Sequence, residues 1–227
     1  MLNKGQYTIN QNTLFNYLIK KKRIEIANII KQEIKKKKLK INSVLDIGSS
    51  GDKESIFSNI ILNNLNLTSN IRSITNRKIK SRLFKKIMIK SITKKFTKKE
   101  IKNFTSDLVL SSATIEHVGN FYNQKKMVEN IGFLTNKIFF ITTPYRFFPI
   151  EIHTKIPILH FLPKKIFRKI LSLFNYNFFA KEKNLNLLCI NELKSLSKKI
   201  EKKFHLKIIF LKTFFVISNL ILVGIKK

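Results

Sequence analysis

Ten residues, Ser43-Val44-Leu45-Asp46-Ile47-Gly48-Ser49-Ser50-Gly51-Asp52, constrain this chain more than any others. An apolar run of strand length carries one carboxylate and then gives way to small residues. Gly48, Ser49, Ser50 and Gly51 lack bulk, so the backbone turns sharply there and a ligand can come close. Residues 53–64 read as a helix with Ile56, Ile60 and Ile61 on one side. Strand, small-residue turn and helix form the opening unit of a nucleotide-binding α/β fold. A P-loop is excluded because no Gly-Lys-Ser/Thr ending follows. The three-glycine dinucleotide fingerprint is also unmet, since only Gly48 and Gly51 are present. A plain strand-to-helix turn with no ligand is the simpler alternative for these residues taken alone.

The rest of the chain repeats the alternation. Residues 1–12 are polar, and 13–38 read as a helix whose apolar face is Leu14, Leu18, Ile26, Ile29, Ile30 and Ile34. Residues 70–75 and 86–89 are strands, and Thr97-Lys98-Lys99-Glu100 has the form of a capping box. Asp107-Leu108-Val109-Leu110-Ser111-Ser112 is a strand ending in hydroxyls, followed directly by Ala113-Thr114-Ile115-Glu116-His117-Val118-Gly119. Residues 123–134 form a helix with Met127, Val128, Ile131 and Leu134 inward. The nearly all-apolar run 137–142 is a strand buried on both faces. Residues 191–203 return to helix, and 207–211 with 220–225 close the sheet as an antiparallel pair. The pattern predicts an α/β fold with a doubly wound, mostly parallel seven-stranded sheet. The segment 1–40 precedes it as a helical lead, and 41–227 forms a single domain.

A carboxylate ahead of the glycines, and an Asp-initiated fourth strand running into Glu116-His117-Val118, resemble class I S-adenosylmethionine (SAM)-dependent methyltransferases. The resemblance runs from about residue 41 onward and implies the Rossmann-like methyltransferase fold with SAM as cofactor. It implies that Asp46 organises the loop around the methionine moiety. Gly48, Ser50, Gly51, Asn76, Ser111, Ser112, Glu116 and His117 complete the implied cofactor-binding set. Glu116 and His117 also read as a buried polar pair that caps a helix. The stretch from Thr142-Thr143-Pro144-Tyr145-Arg146 through Glu151-Ile152-His153-Thr154 resembles a bacterial subgroup carrying a TPNR-F-P-E-HT pattern. That subgroup has a later E-N-L-N-L-L pattern, here Lys183-Asn184-Leu185-Asn186-Leu187-Leu188. Some of its members resemble enzymes that modify sugars or surface-polysaccharide precursors. Three positions depart from the family: Ser50 replaces a glycine, Asn76 stands where an acid meets the ribose, and 86–92 lacks the acid that meets adenine.

Residues 145–183 form an insertion after the fifth strand, aromatic, basic and punctuated by Pro149, Pro157 and Pro163. Its first residues must lie at the carboxyl end of the sheet, where such folds bind ligands. Tyr145 and Arg146 are therefore expected to meet an acceptor, Arg146 through a phosphate or carboxylate. Glu151, His153 and His160 are the catalytic candidates, because an imidazole titrates near neutrality and can take a proton from a hydroxyl. The simpler reading has the histidines bonding the loop to itself.

The chain of 227 residues has 45 Lys plus Arg against 13 Asp plus Glu, a formal charge of +32. Such a balance suits anionic partners, although lysine scattered by an AT-rich genome gives the same total. No RNA-recognition or zinc-finger motif is present. Ser111-Ser112-Ala113-Thr114 also stands where amino-methylating nucleic-acid enzymes carry Asn/Asp-Pro-Pro-Tyr. Nucleic acid is thus not the favoured partner. Phe147, Phe148, Phe161, Phe167, Phe174, Phe178 and Phe179 among Lys164, Lys165, Arg168 and Lys169 suit either sheet packing or peripheral contact with an anionic membrane. The single Cys189 excludes an intramolecular disulfide and a cysteine-rich metal site, and no metal ligands are assigned. Neither a signal-peptide pattern nor a transmembrane run is visible, so a cytoplasmic protein is expected. The expected activity is methyl transfer from SAM to a small molecule or glycan precursor. The alternatives are a nucleic-acid-binding protein or RNA methyltransferase of this fold, or a degenerate SAM fold without activity.

Overall fold

The computed structural model describes residues 14–227 apart from Lys53 and Ile56. The polar segment expected at 1–12, Thr13, the side chain of Leu14 and the inward Ile56 fall outside the described residues. Thirteen elements frame the fold: α1 (Leu14–Lys36), β1 (Val44–Ile47), α2 (Ile60–Leu65), β2 (Ile71–Thr75), β3 (Lys86–Ile89), α3 (Lys98–Phe104), β4 (Ser106–Ser112), α4 (Phe121–Leu134), β5 (Thr135–Pro144), α5 (Lys164–Leu173), α6 (Ile190–Ser197), β6 (Phe204–Thr213) and β7 (Val216–Lys226).

The seven strands lie in the order β3-β2-β1-β4-β5-β7-β6. The first five pair in parallel, whereas β7 runs antiparallel to both β5 and β6. Alternation along the central strands divides the core in two. Leu45, Ile47, Val109, Phe139 and Ile141 pack under Met127, Val128 and Ile131 of α4 and Leu193 and Leu196 of α6. Val44, Leu108, Leu110, Ile138 and Phe140 pack under Ile26, Ala27, Ile30 and Ile34 of α1 and Ile61, Leu62 and Leu65 of α2. Helix α1 therefore covers the sheet as part of the same core. Gly224 on β7 faces Phe139 so closely that a Cβ there would sit 2.1 Å from the ring.

The helix expected over 53–64 forms only from Ile60. Before it, hydroxyls take up the backbone donors: Ser55 N–H donates to Ser58 Oγ (3.1 Å) and Phe57 N–H to Ser55 Oγ (3.1 Å). Asn59 then sits in the left-handed region, φ 57°. Local serine bonding of this kind competes with helix. The capping box at Thr97 and Glu100 is present. The final hairpin is longer than expected, since β6 and β7 pair along their whole length. Its turn places Phe214 (φ 49°) and Phe215 (φ 68°) in the left-handed region, both exposed.

The chain between β5 and α6 forms a satellite with its own small core of Phe167, Leu171, Phe179, Leu185 and Leu187. Phe161 and Phe174 are exposed on it, while Phe167 and Phe179 are buried. No helix among the described residues is long and apolar enough to cross a membrane.

Candidate functional site

Two cavities open at the carboxyl ends of the parallel strands. The larger, about 780 Å³, runs along the ends of β1 to β4 past Gly48, Ser49, Ser50, Thr75, Asn76 and Ser91. The smaller, about 500 Å³, lies between α1, the hairpin and the satellite. Arg23, Phe57, Ser112, Ala113, His117 and Phe178 line both, so the cavities share one wall.

The larger cleft is shaped by backbone. Gly48 has φ +83°, and a Cβ there would lie 2.3 Å from Thr114 Oγ1. Its N–H donates to Ile74 O (2.9 Å), and Thr114 Oγ1 donates to Ile47 O (3.3 Å), which joins three strand ends in one turn. Asp46 is buried and faces a small recess between this turn and α2. Its Oδ2 accepts from Ser49 Oγ, which accepts from Ser73 Oγ (2.8 Å). Burial pushes the Asp46 carboxyl up to about 6, against the pull of the Ser49 hydroxyl and the Arg23 charge. Ser50 Oγ donates to Ser58 Oγ (3.1 Å). Gly51 lies against the Lys80 carbonyl. Ser111 is fully buried and donates to Ile47 O (3.3 Å), so it fastens β4 to β1 and does not line the cleft. Asn76 lines the cleft just past β2. The charged lining residues are Arg23, Arg77, Lys90 and Lys183, with no carboxylate among the described ones. Glu54 pairs with Arg77, and Glu100 pairs with Lys90 (2.7 Å).

The wall between the cavities carries a polar cluster from four segments. Glu116 is fully buried; its Oε2 accepts from Thr143 Oγ1 (3.0 Å) and its Oε1 has no hydrogen-bond partner. His117 Nδ1 donates to Asn184 O (2.6 Å), which leaves the lone pair on Nε2. That Nε2 lies 3.1 Å from His153 Nε2. His153 Nδ1 lies 2.6 Å from Glu151 Oε1, and Glu151 Oε2 accepts from Thr154 N–H (2.6 Å). Burial opposes ionisation of Glu151, but the His153 charge and these hydrogen bonds prevail and hold its carboxyl down at about 2. Burial lowers His117, helped by the His153 charge. Burial also works against the charge on His153, yet Glu151 overcomes it and the net direction is upward. The later sequence pattern has its explanation here. Asn184 supplies the carbonyl for His117, while Asn186 donates to Gly119 O (3.0 Å) and accepts at its own carbonyl from Gln124 Nε2 (2.8 Å).

Four of the five residues expected on the acceptor side line neither cavity. His160 is buried outside both cavities, with Nε2 2.7 Å from Phe148 O. Arg146 donates from Nε to His160 O (3.3 Å) and from Nη2 to Leu162 O (2.9 Å), so its guanidinium ties the satellite together. Tyr145 bridges to Leu188 and lines neither cavity. Glu151 stands behind His153 and is also outside the lining. Sequence reasoning missed Arg23, which reaches the shared wall from a lysine-rich helix face where nothing marks it. It also set His117 with the cofactor residues and His153 with the acceptor, although the two rings touch at 86°.

No family model and no curated protein matches the sequence. Solved structures do match the fold. A magnesium protoporphyrin IX methyltransferase from Synechocystis PCC 6803 with bound S-adenosylhomocysteine (SAH) aligns over 97% of this chain and 91% of its own, with TM-score 0.56 and 10% identity. The fold is the class I methyltransferase fold. The N-methyltransferase NodS from Bradyrhizobium japonicum WM9, also with SAH, aligns over 95% and 89% at TM-score 0.51 and 6% identity. The small RNA methyltransferase HEN1 aligns over 91% of this chain and 25% of its own at TM-score 0.56 and 12% identity.

Proposed function

We propose that this protein transfers a methyl group from SAM in the larger cleft to a small-molecule or glycan acceptor in the smaller cavity. The observation that carries the reading is their shared wall at Ser112, Ala113 and His117, placed where doubly wound sheets bind ligands. The residues fit SAM at its methionine end: the Gly48 turn clears the floor and the buried Asp46–Ser49 pair braces it. Asn76 offers amide hydrogen bonds to the ribose hydroxyls where the family has an acid. When bound, SAM supplies a methyl activated on a sulfonium, and the protein's work is alignment. Ser112 and Ala113 set the separation of donor and acceptor. His117, whose Nε2 carries the lone pair of the couple, is the proton acceptor, while His153, kept charged by Glu151, stands 3.1 Å from it as the proton-bearing partner. His160 and Arg146 act by holding the satellite in place. The structural neighbours crystallised with SAH support the donor assignment.

The test is calorimetric titration with SAM and with SAH, on wild type and on Gly48→Val. Wild type is expected to bind both and the variant neither. No heat and no thermal shift at millimolar ligand, in a protein that melts cooperatively, would overturn the reading. The charge of +32 and the fold shared with a small RNA methyltransferase favour one second reading, an RNA acceptor. Methyl label appearing in RNA and not in sugar nucleotides would establish it.

A further inference from the structure

We propose that Glu116, His117 and His153 form a binding site for one divalent transition-metal ion of the zinc class, open toward the smaller cavity. The three side chains offer ligand atoms that all lie within 4.8 Å of one another. His117 and His153 turn their Nε2 atoms toward each other at 3.1 Å, with the rings nearly perpendicular. Both Nδ1 atoms are already engaged, one by the Asn184 carbonyl and one by the Glu151 carboxylate. This is the outer-shell arrangement that fixes the tautomer and aim of metal-binding histidines. Glu116 supplies the independent observation. It is 0% exposed, its Oε1 has no hydrogen-bond partner, and that atom stands 4.0 Å from His117 Nε2. A buried carboxylate oxygen left without a donor is costly, and a cation at this point would satisfy it.

The donor set selects the ion. Two imidazoles and a carboxylate suit Zn²⁺, Co²⁺ or Mn²⁺, whereas Mg²⁺ and Ca²⁺ prefer all-oxygen shells. Metal–ligand bonds near 2.1 Å at tetrahedral angles place ligand atoms about 3.4 Å apart. The widest separation here, within 4.8 Å, must therefore close by about 1.4 Å, a rotation of the side chains that metal binding has to drive. The positions not taken by protein face the cavity that His117 and His153 line. An oxygen of the acceptor would bind there and be polarised. That last role rests on the methyl-transfer reading, while metal binding does not.

The experiment uses the whole chain, stripped with chelator and titrated with Zn²⁺ alone by calorimetry and with Co²⁺ alone by visible absorption. One ion per chain is expected, with a Co²⁺ spectrum of low coordination number. His117→Ala and His153→Ala should each weaken Zn²⁺ on the order of a hundredfold, and Glu116→Gln by about tenfold or more. The exposed His205→Ala should bind as wild type does. Stoichiometric binding that survives in the double variant His117→Ala/His153→Ala would overturn the proposal, as would no binding by wild type. Should a variant fail to fold, X-ray absorption at the zinc edge decides on wild type alone. Two imidazoles in the first shell support the site, and a shell without imidazole overturns it. SAM titration of the metal-free protein is read separately, so loss of the donor reading and loss of the metal site give different results.

Discussion

The larger cleft takes its walls from strand ends, whereas the smaller cavity takes its chemistry from side chains brought together by the satellite. In the larger cleft, the turn at Gly48 joins β1, β2 and β4 through backbone carbonyls, and Arg77 and Lys90 are answered by Glu54 and Glu100. Beside the smaller cavity, Glu116, His117, Glu151 and His153 are held by Thr143, Asn184 and Thr154 from separate segments. The difference teaches where specificity can reside. A site made from backbone needs only small residues at the right positions and tolerates change around them. One made from interlocked buried side chains fails when any member is lost.

The largest effect is expected from Glu151→Ala. The substitution strips the half-buried His153 of its counter-charge and leaves three donors without their acceptor. Denaturant unfolding should show a loss of about 3–5 kcal/mol near pH 6. The sign of the pH dependence follows from the two groups. A carboxyl held at about 2 contributes stability that is full above about 4.5 and lost as pH falls toward 2. His153, shifted upward, contributes below about 6.5, and its share is lost as pH rises through its folded value. The gap between wild type and variant should therefore be widest from about pH 4.5 to 6.5. A loss under 1 kcal/mol would break the contrast between the two sides.

Asp46→Asn probes the one buried carboxylate on the donor side. Its carboxyl is raised from 3.8 to about 6, so the folded state holds a proton that the unfolded chain has released. Wild-type stability should fall as pH rises from about 4 to 6, by at most about 3 kcal/mol. The variant should lack that portion of the slope in parallel melts. Identical slopes would mean that Asp46 is better solvated than its burial indicates.

The smallest effect is expected from Asn76→Asp, which restores an acid at the ribose end. A charge-assisted hydrogen bond in place of a neutral one should tighten SAM several-fold, about 1 kcal/mol, by calorimetry. Weaker binding would place the ribose elsewhere and sharpen the map of the cleft.

The fold was legible because it is written in local periods. The largely apolar runs at 44–47, 108–110 and 138–141 each lie within one central strand, and their alternation assigns both core faces. The turn at Gly48 was legible for the same reason, since Gly48 and its neighbours are adjacent in the chain. The helix over 53–64 was misjudged because Ser55 and Ser58 take the backbone donors that a helix would use. The polar cluster beside the smaller cavity was only half legible. His153 was picked out by its neighbourhood, but its contact with His117 spans 36 residues, and no local pattern encodes it. His160 carries the same chemistry as His153 on paper, and only packing tells them apart.

The strand order has a consequence for how the chain is made. β5 lies inside the finished sheet, yet its partner on one side is β7, and residues 145–215 separate the two. At ribosomal speed those residues take on the order of ten seconds to appear. Until then the flank of an apolar strand, Ile138 to Ile141, is an unpaired edge of the kind that recruits other chains. The closing hairpin covers that edge and offers β6 in its place, on which Lys212 is exposed and Lys207 pairs with Glu33 of α1. Lysines on an outer strand discourage further pairing. The hairpin is thus the sheet's own guard against aggregation during synthesis.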